Sequence, residues 1–364
     1  MTTEEVARQK KAIKGSSFRR FENFTVLSIF IAFVIIIVAI QVITTRALQF
    51  PTFISPVNLL NIMQQIAVPG IVAVGMTIVM ISGGIDLSVG MLASLVAIVT
   101  ALGISKWHLG TVPSIMLGIA VAVVLEMLLG YIISRTKVEP FIITLGGMIT
   151  FKGIALLLCN SREVMMSGEL NFLKANLIEG AKDPTSGLNL IIPPYVLIFL
   201  AIVVIAWVLL KFTKYGRRVY AVGNNPSAAY LAGINVKNVK FSSYIITGLL
   251  VGIGAVILLS RINVGIITLG QNLEIDTIAM VVIGGTVLSG GKGNIWGTFI
   301  GVLLLGSIGN AMNMLRLPPE VQFVAKGIII ILAVSTGDVY ANISVYMSRM
   351  RQHVLGKKDV GEKN

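Results

Sequence analysis

Five charged residues interrupt otherwise apolar stretches of this sequence, and they are the first candidates for chemistry. They are Asp86, Glu126, Lys152, Asp276 and Lys326. A charge in an apolar segment is costly to bury, so it marks a site for ion passage, proton relay or substrate binding. We expect Glu126 and Lys152 to pair with each other or to extend towards a polar surface. Asp276 is expected near an interface, and Lys326 needs a carboxylate partner.

Asp86 stands in a glycine-rich break, ISGGIDLSVG at 81–90, between two apolar stretches. Two interpretations of its carboxylate stay open. It can cap the N-terminus of the next helix, with Ser88 nearby, or it can act in gating or substrate passage.

A second break, GGTVLSGGKGN, also carries a Ser-Gly-Gly turn. Ser289-Gly290-Gly291 is followed by Gly297 at the spacing that separates Ser82-Gly83-Gly84 from Gly90. The match indicates an internal repeat, as in many transporters. Another match, KGIALLL from 152 and KGIIIIL from 326, implies the opposite relative orientation. The residues taken as candidates for gating or the translocation path are Gly83, Gly84, Asp86, Ser88, Gly290 and Gly291.

The sequence lacks the residues that ATP hydrolysis, metal binding and disulfide formation require. The sequence has no G-x-x-x-x-G-K-[ST], so a P-loop cannot bind and hydrolyse ATP here. His108 and His353 are far apart, with no cysteine or acidic cluster beside them, and no metal site is predicted. Cys159 is the single cysteine, so an intrachain disulfide is impossible. We expect no catalytic activity and no cofactor.

The composition indicates lipid as the solvent around most of the chain. Of 364 residues, 55% are hydrophobic and only 12% are charged, too few to cover a water-exposed surface. A bilayer core of roughly 30 Å needs about 20 apolar residues per helix. Several such stretches are present, which predicts an all-α, polytopic helical bundle. The first apolar run follows a long polar region and has no cleavage site, so it is predicted as an uncleaved helix.

Ten membrane spans are predicted from hydropathy. They cover about 25–44, 58–81, 87–104, 112–134, 140–159, 193–212, 241–260, 274–289, 294–314 and 320–337. Those at 87–104 and 274–289 are short and interrupted by glycine. Eight or nine full spans with a re-entrant segment fit nearly as well. Pro69 and Gly70 should kink or break the second span.

The net charge of +13 is interpreted as the positive-inside bias of membrane proteins rather than as a nucleic-acid surface. Ten alternating helices with a cytoplasmic N-terminus place most of the 29 Lys and Arg residues in the cytoplasm. An odd number of spans would spoil this bias. The predicted organisation is a cytoplasmic tail at 1–24, a transmembrane domain at 25–337 and a cytoplasmic tail at 338–364.

Two loops are long. The outer loop, 160–192, can carry short helices. The inner loop, 213–240, contains a helix signal: Asn225 is a good cap, Pro226 suits the first turn, and Gly233 is a C-terminal stop. A short helix outside the bilayer needs a surface to pack on. A cytoplasmic partner and the lipid headgroups are both open at this point.

Five stretches, in order, resemble the permeases of bacterial ABC importers for ribose, xylose, arabinose and galactosides. They are NLLNIMQQIAVPGIVAVGMTIVMISGGIDLSVG (58–90), VEPFIITLGGMITFKGIALL (138–157), GRRVYAVGNNPSAAYLAGINV (216–236), LEIDTIAMVVIGGTVLSGGKGNIWGTFIGVLLLGSIGNAMNML (273–315) and VQFVAKGIIIILAV (321–334). SGGIDLSVG and GGTVLSGGKGNIWGT are the specific parts. The tails and the outer loop are longer than the family's core, and nothing in them identifies the solute.

The resemblance implies a division of labour in a bacterial inner membrane. Two permease chains, identical or sisters, form the path, and a binding protein outside delivers the sugar. Two ATP-binding cassettes, often fused in one polypeptide, bind the cytoplasmic loops. By the same resemblance the segment coupling the permease to the ATPase comprises Asn225, Pro226, Ala228, Ala229, Leu231, Ala232 and Gly233.

Two other classes of function remain as alternatives. One is a secondary carrier that works alone, although such carriers usually show a chain of intramembrane acids and this sequence has scattered single ones. The other is a membrane-embedded enzyme or scaffold.

Overall fold

The computed structural model describes residues 27–47, 53–175, 178–182 and 189–331. The tails predicted at 1–24 and 338–364 lie outside these ranges. The chain divides into two compact units, Met1–Arg316 and Leu317–Asn364. The helices of the first unit are α1 (Leu27–Ala47), α2 (Pro56–Ile81), α3 (Val89–Ser105), α4 (Thr111–Arg135), α5 (Pro140–Cys159), α6 (Pro194–Phe212), α7 (Lys214–Asn224), α8 (Pro226–Leu231), α9 (Val236–Ile262), α10 (Leu273–Ile283) and α11 (Ile295–Met314). In the second unit, α12 covers 319–331.

Seven helices in the described ranges are long and apolar enough to cross a membrane by length and composition: α1, α2, α4, α5, α6, α9 and α11. The protein is therefore a multi-pass membrane protein. Each of the ten predicted spans contains a helix, but α3 has 17 residues and α10 only 11. Eleven residues rise about 16 Å, which is too short for a full crossing. The predicted span at 274–289 is thus too long, because α10 ends at Ile283, just before Gly284 and Gly285.

Helix α2 is the centre of the first unit. It packs against α6, α9, α10 and α11. Its N-terminus is capped by Ser55, whose side chain accepts a hydrogen bond from the amide of Asn58 at 3.3 Å. The predicted break at Pro69 is absent, and the helix is continuous to Ile81. Close packing by neighbouring helices stabilises such a proline in a membrane helix, and here Gly70 lies directly against the ring of Phe199.

Helices α4 and α9 form the most extensive pair, and small residues allow their close approach. A Cβ atom at Gly248 would lie 2.9 Å from the carbonyl oxygen of Ala122, and one at Gly252 would lie 3.1 Å from the Cα of Ile119. Without a hydrophobic driving force between helices in lipid, such small-residue contacts stabilise packing. These contacts hold α9 beside α4, and Gly254 of α9 lies against Val72 of α2.

The outer loop forms small strand pairs rather than only the short helices expected there. Strand β1 (Val164–Met165) pairs antiparallel with β4 (Val264–Gly265), which follows α9. Strand β2 (Ile178–Lys182) pairs with β3 (Asn189–Ile192). One 3-10 helix covers Asn171–Leu173. The β1–β4 pair therefore lies at the end of α9 opposite to α8.

Candidate functional site

A group of buried residues at the connection between α2 and α3 is called the carboxyl cluster here. It consists of Asp86 and Ser88 of the connection, Glu126 of α4 and Tyr244 of α9. The Ser88 hydroxyl lies 2.6 Å from Oδ1 of Asp86 and 3.0 Å from Oε1 of Glu126. The Ser88 amide donates to the same Oδ1 at 2.9 Å. Asp86 therefore binds the residue that precedes α3, and no side chain caps the first-turn amides of that helix. The capping interpretation holds only in this limited form.

The hydrogen-bond inventory of this cluster requires an additional proton. A serine hydroxyl has one hydrogen, so Ser88 can donate to only one of the two carboxyl groups. The other contact needs a hydrogen on the carboxyl group itself. Within the described residues, Oδ2 of Asp86, Oε2 of Glu126 and Oη of Tyr244 are buried without a partner. One proton on Asp86 or Glu126 is thus the minimum that makes both Ser88 contacts hydrogen bonds.

Helix α5 fixes the same connection from a second side. The amide of Leu87 donates to Oγ1 of Thr144 at 3.1 Å, and that hydroxyl lies 3.2 Å from the carbonyl oxygen of Ile85. Residues 85–87 are therefore held by α5 while Asp86 and Ser88 face α4. Side chains of α4 and α5 therefore hold the α2–α3 connection from two sides.

The expected pairing of Glu126 with Lys152 is wrong. Glu126 is completely buried against Ser88, whereas Lys152 is exposed on α5. The neighbourhood of Glu126 explains this burial, since a Cβ atom at Gly248 of α9 would lie 2.8 Å from the Glu126 Cβ. The glutamate is enclosed between α4 and α9 and cannot extend to a polar surface.

The two predicted Ser-Gly-Gly turns meet at a place we call the glycine junction: Gly83, Gly223, Gly290 and Gly291. The Gly291 amide donates to the carbonyl oxygen of Ile81 at 2.9 Å. A Cβ atom at Gly290 would lie 2.9 Å from the Cα of Gly83, and one at Gly223 would overlap the carbonyl oxygen of Ile81. Gly290 and Gly291 also have φ of +85° and +73°, which favours glycine. Only residues without side chains fit here.

Helix α7 brings the inner loop to this junction. Its last residues, Gly223 and Asn224, lie against Gly290 and Gly291. The hydroxyl of Tyr220 donates to the carbonyl oxygen of Gly293 at 2.9 Å. At the other end of the helix, burial raises the pKa of Tyr215, and a hydrogen bond from Ser242 partly opposes the shift. Helix α7 is thus attached to both the α10–α11 connection and α9.

Helix α8 follows immediately, and its capping is as predicted. Oδ1 of Asn225 accepts from the amide of Ala228 at 3.0 Å, and Pro226 occupies the first turn. Gly233 has φ of +79° and ends the segment. Ala229 is buried, but Tyr230 and Leu231 are 73% and 86% exposed. Helix α8 therefore has two large apolar side chains that no other part of the described chain covers.

The predicted site residues fall into three groups. Gly83, Gly290 and Gly291 belong to the glycine junction, and Asp86 and Ser88 belong to the carboxyl cluster. Gly84 lies beside the Tyr244 hydroxyl of that cluster. The predicted coupling residues form α8 and its flanks. Sequence reasoning missed Gly223, Thr144 and Tyr244 as site residues. The Gly223-Asn224-Asn225-Pro226 turn signal could have indicated the first, but the sequence carries no signal for the other two.

The family model described as "Branched-chain amino acid transport system / permease component" matches residues 58–334. This range includes both glycine turns, the carboxyl cluster and α8. The chain belongs to this permease family. The permease role predicted from the five stretches is thereby confirmed in preference to a carrier that works alone.

Curated relatives agree with this assignment. The permease is 39% identical to the ribose import permease protein RbsC of Bacillus subtilis over 284 residues, which cover 78% of this chain and 85% of the relative. It is 35% identical to the RbsC of Escherichia coli K12, over 82% of this chain and 90% of the relative. It is 31% identical to the xylose transport system permease protein XylH of Haemophilus influenzae, over 86% and 96%. No solved structure matches the permease.

Proposed function

We propose that the permease is the membrane subunit of an ATP-driven importer in a bacterial inner membrane and forms the path for a sugar. The printed names of the relatives, which concern ribose and xylose, support a pentose or a similar solute. The observation that supports ATP as the energy source is the exposed surface of helix α8. Tyr230 and Leu231 are exposed there, at one end of α9, and an ATPase subunit can dock on them.

The proposed topology has ten membrane segments with both termini in the cytoplasm, and in it the short helix α10 crosses together with the glycine-rich connection at 284–294. The basic residues on the loops support it, since α8 and its flanking lysines then lie on the cytoplasmic side. The β1–β4 pair lies at the far end of α9, a helix of 27 residues and about 40 Å. That end faces an extracytoplasmic binding protein. The tails at 1–24 and 338–364 and the loop at 213–240 are cytoplasmic in this arrangement.

The partners follow from the family's division of labour. An ATPase subunit, in the form of two cassettes or one tandem polypeptide, binds the coupling segment from Asn225 to Gly233. A second permease chain, identical or a sister, completes the path. Catalysis of ATP hydrolysis belongs to the ATPase, and the permease has no catalytic residues in this proposal.

The proposed transmission runs from α8 through the last turn of α7 to the glycine junction. Closure of the ATPase moves α8, and the backbone contacts of Gly223 carry this movement to the end of α2 and to the α10–α11 connection. The connection between α2 and α3 then changes its contacts with α4 and α5 at the carboxyl cluster. Gly83, Gly84, Asp86, Ser88, Gly290 and Gly291 act in gating in this scheme.

Co-purification of the ATPase tests the proposal. Leu231→Asp should abolish capture of the ATPase subunit by the tagged permease, because the exposed contact becomes charged. Met165→Asp is the matched control, since Met165 is 71% exposed in β1 at the opposite end of α9. Equal capture by the two variants would contradict the docking role of α8. Sugar uptake that persists without any ATPase would favour the carrier that works alone.

A further inference from the structure

A cavity of about 1320 Å³ lies between α1, α6, α7 and the start of α11, away from the carboxyl cluster. Its inner part is aromatic. The rings of Trp207 and Trp296 are 6.0 Å apart, and those of Trp296 and Phe299 are 5.9 Å apart, both edge to face. Phe33 of α1 lines the other wall. Apart from its cations, the described lining is largely apolar and aromatic, with Tyr220, Asn224 and Asn294 as its other polar side chains.

The second part of the cavity is cationic. Lys211, Arg217 and Lys292 line it, and no aspartate or glutamate is among the lining residues of the described chain. Nζ of Lys211 lies 5.0 Å from the centroid of the Trp207 ring, so the cationic and aromatic parts are continuous. An occupant therefore needs a negative charge at one end and an apolar body at the other.

We propose that this cavity binds an anionic phospholipid, with its acyl chains on the aromatic part and its headgroup on the three cations. A neutral sugar does not need three cations, and a free anion leaves the aromatic part uncovered. Basic clefts between membrane helices attract anionic headgroups in this way. The cations lie beside Asn224 and Gly291, at the α8 end of the protein, so the lipid comes from the cytoplasmic leaflet if the proposed topology holds.

The tryptophans provide a local probe. The chain has three, and only Trp107, which is exposed just after α3, lies outside the cavity lining. In a Trp107→Phe background, the fluorescence reports Trp207 and Trp296 alone. The protein is reconstituted in phosphatidylcholine vesicles that contain a small fraction of lipid with brominated acyl chains, which quench tryptophan on contact. Half-maximal quenching should need a mole fraction of brominated phosphatidylglycerol roughly tenfold lower than that of brominated phosphatidylcholine.

A charge-matched pair of variants separates the site from the general surface. Lys211→Gln, Arg217→Gln and Lys292→Gln together should remove the preference for phosphatidylglycerol. The control combines Lys214→Gln, Arg218→Gln and Lys237→Gln. These three cations are exposed in the inner loop at 213–240 and do not line the cavity. It should keep the preference. If the first triple variant does not fold, Lys292→Gln alone should reduce the preference severalfold.

Two results would overturn the proposal. One is equal quenching by brominated phosphatidylglycerol and phosphatidylcholine, which would mean ordinary contact with surrounding lipid. The other is loss of the preference when excess inorganic phosphate is added, which would mean a site for a free anion. Quenching is measured without the ATPase or a sugar. Absence of the lipid preference therefore leaves the importer proposal unaffected, and a failed ATPase capture leaves the lipid site unaffected.

Discussion

The amide of Gly291 donates a hydrogen bond to the carbonyl oxygen of Ile81 at 2.9 Å, and Gly223 lies against the same oxygen. Three separate stretches of the chain thus meet at one main-chain atom: the end of α2, the end of α7 and the turn before α11. The contact links the loop proposed to bind the ATPase with the segment that carries Asp86. Its geometry leads to the first prediction.

Gly223→Ala should reduce sugar uptake strongly, because the new methyl group overlaps a carbonyl oxygen that a helix holds in place. Overpacking of this kind costs about 1–3 kcal/mol, and it must displace α7 or the end of α2. Uptake of radiolabelled ribose or xylose, normalised to the amount of permease in the membrane, measures the effect. Gly146→Ala is the control, since a Cβ atom there meets nothing within 4 Å. Equal uptake by the two variants would show that the junction tolerates a side chain.

Glu126→Gln should be tolerated better than Glu126→Ala. The amide of glutamine supplies the hydrogen that the contact with Ser88 requires, without a charge. Alanine leaves a cavity between α4 and α9 and removes the contact with Ser88, for which we expect a loss of about 1–3 kcal/mol. Thermal unfolding of the purified permease in detergent compares the two variants. The interpretation that Glu126 carries a proton fails if glutamine lowers the melting temperature as much as alanine does.

Asn225→Ala should impair ATPase capture more than Asn235→Ala. Both asparagines accept a hydrogen bond from an amide three residues later at 3.0 Å, so each variant removes the same cap, worth about 1 kcal/mol. Helix α8 has 6 residues and depends on its cap, whereas α9 has 27 and is held by α4 and α2. Capture of the ATPase subunit by each tagged variant is the measurement, with membrane expression of both as the reference. The reverse order would exclude α8 as the coupling helix.

Cysteine labelling should place the two ends of α9 on opposite sides of the membrane. The single native cysteine, Cys159, is buried, and Cys159→Ala removes its background. In that variant, an impermeant maleimide added to intact cells should label Ser167→Cys and should not label Asn224→Cys until the cells are opened. Both positions are exposed in the structure. Labelling of the second position in intact cells would invert the proposed topology.

The sequence predicts the helices of this fold well, because membrane spans depend on local hydropathy. Every proposed span contains a helix, and the caps at Asn225 and Gly233 are where the local signals put them. The errors occur where local signals compete with packing. Pro69 does not break α2, which continues to Ile81 while the adjacent Gly70 packs against Phe199 of α6. The span at 274–289 is cut short at Ile283 by the glycines that follow.

The site was only partly predictable, because its contacts are long-range. The Gly-rich break drew attention to Asp86 and Ser88 through the charge and the capping residues. Nothing local reveals that Thr144 of α5 holds residues 85–87, or that Tyr244 lies beside Gly84. The charge of Glu126 marked it as a candidate site residue, but nothing in the sequence indicated that its partner is Ser88. Hydrogen-bond partners across a helical bundle depend on the packing of the helices, which a single sequence does not specify.

The composition of the glycine junction has a mechanical consequence. A contact between side chains can absorb a small displacement by rotating about χ angles, so part of the motion is lost. The main-chain atoms of Ile81, Gly223 and Gly291 have no such freedom. We therefore expect a displacement of α7 at Gly223 to shift the end of α2 directly, because no side chain lies between the two to take up the motion.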